Sequence, residues 1–273
     1  MVEVLVHFVA PALVGVLIGI ASGLLGIGGG TVMVPIFRLA FGMSATMSTA
    51  TSLFAIIPTS ISGAISHVKG KTCIPALGIA AGLGGACLSP VGVWLAQLSP
   101  DWLVMLAAAL IIGYSAINMF KKAFKLRPAG QPAAEADAAA PTADDSSLSR
   151  KQLLQGAAIG LVAGLASGYV GVGGGFIMVP LMLSIIGIPM RKASGTSLIA
   201  VMILAIPGVI EQGIIGNINY LAGIAIVIGT IPGAVIGARL VTKVPERTLR
   251  LLFGCFLIVA AVMLVLNEVG IFG

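Results

Sequence analysis

Charged residues are scarce in this chain of 273 residues: Asp, Glu, Lys and Arg make up 9 % of it, whereas hydrophobic residues make up 58 %. Soluble domains carry about 25 % charged residues because their surfaces must stay in contact with water. The mean hydropathy of +1.13 agrees with a chain that faces lipid. The composition therefore excludes a soluble enzyme, a nucleic-acid-binding protein and a disordered protein, and it predicts an all-α polytopic membrane protein.

Residues that hold metals or perform catalysis are also few. The three cysteines, Cys73, Cys87 and Cys255, lie in apolar runs without a CxxC pair, where cysteine acts as a small hydrophobic residue. The two histidines, His7 and His67, lie near segment ends, and we expect them at the surface. No HExxH, no GxSxG and no intramembrane pair of aspartates is present, so we predict no enzyme activity, metal or cofactor.

One sequence unit occurs twice in the chain. The 17 residues from Gly19 to Pro35, GIASGLLGIGGGTVMVP, return as GLASGYVGVGGGFIMVP from Gly164 to Pro180, and 11 of them are identical at an offset of 145. Between the copies, residues 127–149 are rich in Pro, Ala, Asp and Ser, a composition typical of a disordered linker. The sequence predicts a first transmembrane repeat over 1–126, the linker over 127–149 and a second repeat over 150–273.

Each repeat divides into about five apolar segments at its polar, Gly and Pro residues. The segments after the glycine clusters, 31–45 and 176–189, are short for a crossing that needs about 20 residues, which predicts broken helices. With five segments in each repeat, the second repeat is inverted, and fourteen of the fifteen Lys and Arg residues fall on one side, leaving only Arg38. With four crossings the split would be eight against seven. The positive-inside rule favours the inverted arrangement, with the linker in the cytoplasm and both termini outside.

Glycine clusters interrupt the apolar run at the same place in both repeats, with GIGGG at 26–30 and GVGGG at 171–175. Broken backbone in a membrane survives only where it is buried in protein or lines a polar cavity. A helix that starts at such a break offers free N–H groups and a partial positive charge. Two such termini in an inverted repeat predict an anion site near the midplane. The alternative is close helix packing, which we favour for the other glycines, such as Gly78, Gly82 and Gly84.

The predicted substrate-binding residues are these glycines and the polar residues near them. Arg38 either adds a cation to the site or reaches the outer head groups. The hydroxyl groups after the breaks either bind the ligand or bond back to their own helices. The full set is Gly28, Gly29, Gly30, Thr31, Arg38, Thr51, Ser52, Gly173, Gly174, Gly175, Thr196 and Ser197.

The doubled pattern GxGGGxxxVP, in GLLGIGGGTVMVPIF and GYVGVGGGFIMVPLM and followed each time by TSL, resembles the TauE/SafE family of sulfite-exporter-like membrane permeases. The resemblance covers nearly the whole chain outside the linker. It implies an anion carrier, and the substrates associated with the family are sulfite, sulfoacetate and other organic sulfur anions. Thr31 corresponds to Phe176, and Arg38 to Leu183, so the two halves of the site cannot be chemically equal.

The sequence thus predicts a secondary transporter of small anions, sulfite or organosulfonates such as sulfoacetate, in the bacterial inner membrane. Its predicted partners are the anionic substrate and membrane lipid, without nucleic acid, and a homo-oligomer is compatible with the sequence. One alternative is a passive anion channel with the same site. Another is a non-transport membrane scaffold whose linker binds a partner, although a scaffold has no need of interrupted helices.

The predicted topology can be checked by labelling introduced cysteines from outside intact cells. We expect a thiol introduced by Glu3→Cys to react with a membrane-impermeant reagent, and one introduced by Ala138→Cys to react only after the cells are opened. The unsubstituted chain, with its three native cysteines, is the control. Equal labelling at both positions in intact cells would contradict the inverted arrangement.

Overall fold

Ten α-helices follow one another in the part of the chain that the computed structural model describes, residues 10–125 and 149–268. The first repeat contains α1 (Ala10–Leu25), α2 (Gly30–Phe41), α3 (Ala45–Lys69), α4 (Pro75–Leu98) and α5 (Asp101–Lys125). The second contains α6 (Arg150–Val170), α7 (Gly175–Leu181), α8 (Met190–Ile215), α9 (Tyr220–Leu240) and α10 (Glu246–Glu268), and a π-helical turn, Met182–Ile186, extends α7.

Seven of the described helices are long and apolar enough to cross a membrane. The predicted all-α polytopic membrane fold is therefore confirmed. The short segments after the glycine clusters are helices of about half a span, since the 12 residues of α2 extend only about 18 Å at 1.5 Å per residue. Most of the predicted linker lies outside the described residues, except for Ser149, which forms a capping box with Gln152 at the start of α6.

Four of the five pairs of corresponding helices begin at the offset of 145 found in the sequence. Their first residues are 30 and 175, 45 and 190, 75 and 220, and 101 and 246. The hydrogen bonds at these helix ends correspond as well. The Asp101 carboxylate accepts from the Ala45 N–H at 3.2 Å, and the Glu246 carboxylate accepts from the Met190 N–H at 2.7 Å. The duplicated sequence therefore forms the same order of helices twice.

Helices α3 and α8, which are equivalent in the two repeats, cross each other in opposite directions. A Cβ atom added to Gly63, late in α3, would lie 2.8 Å from the Leu198 side chain, early in α8. One added to Gly208, late in α8, would lie 3.6 Å from the Leu53 side chain, early in α3. Because Leu53 corresponds to Leu198 and Gly63 to Gly208, the two contacts are related by a pseudo-two-fold axis through this crossing.

Helix packing divides six of the helices into two groups, and each group contains helices from both repeats. Group A contains α1, α3 and α9, which run parallel: Gly15 lies against Ile226 and Gly23 against Ala234, while Thr59 of α3 hydrogen-bonds Thr230 of α9 at 2.6 Å. Group B contains their equivalents α6, α8 and α4. The crossing of α3 with α8 is a main contact between the groups.

Glycine allows the close packing inside each group. A Cβ atom on Gly160 of α6 would overlap the Ala81 carbonyl oxygen of α4, and one on Gly229 of α9 would overlap the Ala12 carbonyl oxygen of α1. Small residues let membrane helices approach closely where no hydrophobic effect drives association. Glycines 78, 82 and 84 also lie against neighbouring helices, which agrees with the packing role predicted for them.

The described basic residues gather at one end of the helices, with one exception. Arg191 donates to the Val244 carbonyl at 3.1 Å, and Gly195 lies against Thr72 and Cys73, just after the end of α3. Arg38 lies in the last turn of α2, next to the start of α3 and therefore at the opposite end. This distribution agrees with the charge division expected from the sequence, while the side of the membrane that each end faces stays a prediction.

The glycine packing can be tested by adding a single methyl group. We expect Gly160→Ala to destabilise the protein by about 1–3 kcal/mol, because the methyl group cannot fit against the Ala81 carbonyl without moving α4 or α6. Gly113→Ala in α5 is the matched control, since its added Cβ atom meets nothing within 4 Å. Alanine there should leave stability unchanged or raise it by up to about 1 kcal/mol. Thermal unfolding of both variants in detergent decides, and equal melting temperatures would contradict the packing role.

Candidate anion site at the first glycine break

The loop between α1 and α2 adopts a backbone shape that requires glycine. The φ angles of Gly26, Gly28 and Gly29 are 76°, 80° and 86°, in the left-handed region that other L-residues rarely enter. The second loop repeats this geometry, with φ angles of 73°, 85° and 68° at residues 171, 173 and 174. The glycine clusters are therefore needed first of all to reverse the chain between a long helix and a half-helix.

The two breaks meet each other at the crossing of α3 and α8. A Cβ atom added to Gly30 would lie 2.6 Å from the Val172 carbonyl oxygen, and one added to Gly175 would overlap the Gly26 carbonyl oxygen. Gly28 and Gly173 both pack against Ile56 and Val201, which stand twelfth in α3 and twelfth in α8. The structure thus brings together the predicted residues 28–30 and 173–175, halfway along the two crossing helices and buried.

Three buried hydroxyl groups without hydrogen-bond partners surround the first break. They belong to Ser22, Thr31 and Ser60, and all three residues are 0 % exposed. A Cβ atom on Gly28 would lie 3.4 Å from the Ser60 oxygen, and one on Gly29 would lie 3.7 Å from Ser22 Cβ, while Thr31 follows Gly30 in the first turn of α2. A buried polar group without a partner costs about 1–3 kcal/mol, and a bound ligand could remove this cost.

The start of α2 adds backbone donors at the same place. The first four N–H groups of an α-helix have no partner within the helix, and the helix dipole places a partial positive charge there. The residue before the helix is Gly29, which has no side chain to cap these groups; its carbonyl accepts from the Val32 N–H at 3.3 Å, and the N–H groups of Gly30 and Thr31 precede that bond. Hydroxyl and N–H donors therefore lie around the first break, and groups of this kind can bind an anion.

The second break has a more apolar environment. Phe176, which replaces Thr31, is fully buried, and Ala205 replaces Ser60. Only Ser167, the equivalent of Ser22, provides a buried hydroxyl without a partner. The half-helix α7 has 7 residues before its π-helical turn. The candidate site is therefore one-sided, as the mismatch between Thr31 and Phe176 indicates.

Ser197 of α8 holds the first break in position. Its hydroxyl lies 2.7 Å from the Gly26 carbonyl and 2.8 Å from the Ser194 carbonyl, with its single proton directed to one or shared between both. This contact joins group B to a loop that follows a helix of group A. Ser52, the equivalent of Ser197, is buried without a hydrogen-bond partner.

Thr51 and Thr196 serve the turns before helices. Thr51 accepts from the Asn219 N–H at 3.0 Å, and Thr196 accepts from the Ile74 N–H at 2.9 Å and donates to the Lys192 carbonyl. These bonds secure the starts of α9 and α4. The hydroxyl groups of Thr51 and Thr196 thus have structural partners. Those of Ser22, Ser60 and Ser167 have no hydrogen-bond partner, and these three residues are not in the set predicted from the sequence to form the site. Repetition of Ala-Ser-Gly at 21–23 and 166–168 was the signal for two of them.

The two half-helices receive a cation in different ways. Arg38 belongs to α2 and lies seven residues beyond Thr31, about 10 Å along the axis, so its place at the helix end fits the head-group alternative better than a position in the loop. Position 183 in α7 is Leu, but Lys122 of α5 reaches α7 and donates to the Pro180 carbonyl at 3.0 Å and to the Ser184 hydroxyl at 2.6 Å.

The expectation that His67 lies at the surface is wrong. The residue is 0 % exposed, because the last turns of α3 pass between α1 and α8 instead of ending in solvent. Its Nε2 lies 2.8 Å from the Gly23 carbonyl oxygen, and its Nδ1 lies 2.7 Å from the Thr72 hydroxyl oxygen. Among the described residues, no three His, Cys, Asp or Glu side chains form a group that could hold a metal.

The sequence of this chain matches a known family of membrane proteins. A family model described as sulfite exporter TauE/SafE matches residues 11–264. The chain belongs to the TauE/SafE family. The resemblance seen in the doubled glycine motif is thereby confirmed, and the TauE/SafE model spans both repeats.

Curated relatives of this TauE/SafE member carry names of the same kind. The chain is similar to "Probable membrane transporter protein YunE" of Bacillus subtilis, with 28 % identity over 97 % of this chain and 99 % of the relative. It is also similar to "Probable membrane transporter protein YdhB" of the same organism, with 28 % identity over 87 % and 92 %. A "Probable membrane transporter protein" of Haemophilus influenzae is 29 % identical over 93 % and 97 %. No solved structure matches the chain.

The contribution of Ser197 to stability can be compared with that of Ser52, its equivalent in the first repeat. We expect Ser197→Ala to lower the free energy of unfolding by about 0.5–1.5 kcal/mol, the usual contribution of an internal hydrogen bond, because the Gly26 carbonyl loses its donor. Ser52→Ala makes the same chemical change where no hydrogen bond is recorded and should have a smaller effect. Chemical or thermal unfolding measures both, and an equal loss in the two variants would contradict the role of Ser197.

Proposed function

We propose that this TauE/SafE protein is a secondary transporter that moves small anions across the cell membrane by alternating access at the first glycine break. The proposed substrates are sulfite and organosulfonates such as sulfoacetate. The observation that supports this most is that three buried hydroxyl groups without partners lie around the loop that leads into the N-terminus of a half-helix. Family membership supports transport in general, and the site supports an anion.

The chemistry of the site fits an anion with an SO₃ group. Sulfite and sulfonates are strongly hydrated, so a buried site must replace that water with other hydrogen-bond donors. The N–H groups at the start of α2 and the hydroxyl groups of Ser22, Thr31 and Ser60 are donors of this kind. The side chains of Phe176 and Ala205 at the second break offer no hydrogen-bond donor to oxygen atoms. We therefore expect the site to bind one oxyanion group, with the remainder of an organic substrate toward the second break.

The two helix groups suggest how access alternates. Groups A and B are equivalent bundles that meet at the crossing of α3 and α8, where the two breaks also lie. Rocking of one group against the other about this crossing would open the first break to one side of the membrane and then to the other. This is the motion proposed in general for transporters built from inverted repeats.

Flux measurements with purified protein in liposomes test the transport proposal. Labelled sulfite, thiosulfate, sulfate, sulfoacetate and acetate are compared with protein-free liposomes. Saturable uptake of sulfite or sulfoacetate, accelerated by the same unlabelled anion inside, supports a carrier. Flux without such counterflow would indicate a channel, and no flux of any of these anions would overturn the proposed function. Deletion of residues 128–148 should leave transport intact. The same deletion would abolish the function of a scaffold that binds a partner through its linker.

Removal of the donor groups should weaken substrate binding. We expect Thr31→Val and Ser60→Ala each to raise the half-saturating substrate concentration about 10- to 100-fold, because a hydrogen bond to a charged group contributes about 1.5–3 kcal/mol. Thr242→Val changes an exposed hydroxyl in the turn that follows α9 and serves as the control. Unchanged half-saturation in both site variants, with protein amounts matched, would place the anion elsewhere.

A further inference from the structure

His67 lies on the boundary between the two helix groups. Its own helix, α3, and its partner Gly23 in α1 belong to group A. Gly195 of α8, in group B, is so close that an added Cβ atom would lie 2.8 Å from the imidazole Cγ. Thr72, in the turn that leads from α3 to α4, contacts the other ring nitrogen. A movement of one group against the other must therefore displace this ring or its contacts.

The hydrogen bonds of the neutral ring determine which nitrogen carries the proton. The Gly23 carbonyl can only accept, so Nε2 must donate to it. Nδ1 is then the acceptor, and the Thr72 hydroxyl donates to it over 2.7 Å. The assignment follows from the donor and acceptor capacities of these groups.

The same surroundings can accept a second proton with one small change. If Nδ1 becomes protonated, it donates to the Thr72 oxygen, and the hydroxyl proton of Thr72 must turn to another acceptor. The carbonyl oxygen of His67 lies 3.3 Å from that hydroxyl oxygen and can receive it. Rotation of one hydroxyl group therefore keeps every polar atom of the ring bonded in both protonation states.

The second repeat has the same arrangement without a group that titrates. Gln212 corresponds to His67 and is 1 % exposed, and Asn217, which corresponds to Thr72, donates to its side-chain oxygen at 2.8 Å. An amide pair fills the same space but does not exchange protons near neutral pH. The capacity to take up a proton is thus present on one side of a nearly symmetric structure.

Two short covalent paths connect this ring to the candidate anion site. Gly23 follows Ser22, whose hydroxyl is one of the three unpaired donors and whose carbonyl accepts from the Gly26 N–H at 2.8 Å. Gly195 lies two residues before Ser197, which binds the Gly26 carbonyl. The ring therefore touches both backbone segments that hold the first break.

The charges on the elements around the ring do not favour a positive charge on it. Helix α1 carries no charged residue over Ala10–Leu25. At the end of the molecule where the ring lies, the charged and titratable groups on the other elements are Lys69, Lys71, Cys73, Arg191, Lys192 and Arg239, whereas Glu211 lies at the opposite end of α8. Because the charged groups at the end where the ring lies are all cations, an anion at the first break is the compensating charge the structure offers. The proton should therefore bind more tightly when the anion is bound, and the anion should bind more tightly when His67 is protonated.

We propose that His67 is the residue that binds the coupling proton, so that an anion and a proton cross together. The proposal rests on the transport function proposed above. In this proposal the coupling proton binds Nδ1 of His67, and the movement that follows takes place at the boundary between groups A and B. An acid solution on one side of the membrane then drives the anion toward the other side.

The first test compares flux driven by a pH gradient with counterflow at uniform pH. Wild-type protein should move sulfite faster when the side it leaves is acid. His67→Gln, the residue that the second repeat has at this position, should lose this acceleration while keeping counterflow within about threefold. His7→Gln and Glu211→Gln are the controls and should keep the acceleration. Full acceleration in His67→Gln would overturn the proposal, and its loss in Glu211→Gln alone would assign the proton to that carboxyl group.

Variants of Thr72 test the hydroxyl rotation without changing the histidine. Thr72→Val removes the acceptor for the Nδ1 proton and should shift the midpoint of acid stimulation to lower pH by about one unit or more. Thr72→Ser keeps the hydroxyl and should leave the midpoint in place. Equal midpoints in all three proteins would overturn the role of Nδ1 even if His67→Gln fails to fold. Wild-type protein that transports no anion contradicts the proposed function, whereas transport that ignores the pH gradient contradicts only the coupling by His67.

Discussion

Backbone N–H and C=O groups at a helix interruption cannot be left facing lipid, because hydrocarbon offers them no hydrogen bond. This constraint explains why both breaks lie at the crossing of α3 and α8, the place where each is covered by helices of both repeats. It also explains the bond from Ser197 to the Gly26 carbonyl, which satisfies a group that the end of α1 leaves open. The crossing is thus the scaffold for the breaks, and the first break in turn carries the donors that we propose bind an anion.

Glycine has two different roles in this molecule, and they depend on different features. At residues 28 and 29 the backbone has positive φ angles, so any side chain would be strained even with space beside it. At residues 160 and 229 the backbone is helical, and the opposing carbonyl oxygens leave no room for a Cβ atom. The first role shapes the candidate site, and the second holds each helix group together.

Much of this fold could be predicted because it depends on composition and periodicity. The scarcity of charge, the offset of 145 and the one-sided basic residues led to the helical membrane fold, the paired helices and the division of charge. The roles of single polar residues could not be predicted in this way. Thr51 and Ser52 are neighbours in sequence, yet the Thr51 hydroxyl accepts from Asn219, 168 residues away, whereas that of Ser52 has no recorded partner. His67 looked like the end of a span, and only the contacts with Gly23 and Gly195 bury it.

A duplicated fold needs matching residues where the two copies pack, but a single anion needs its chemistry only once. The polar residues around the first break follow this division. Thr31, Ser60 and His67 in the first repeat correspond to Phe176, Ala205 and Gln212 in the second, all of which are of similar burial. The second repeat contributes the support, through Ser197 and Gly195. In the proposed transporter, the ligand donors and their supporting groups come from different repeats, so a step that moves group A against group B would also change the shape of the site. Binding and movement would then be coupled by the way the chain is folded, because Ser197 of α8 is bonded to the Gly26 carbonyl of the first break.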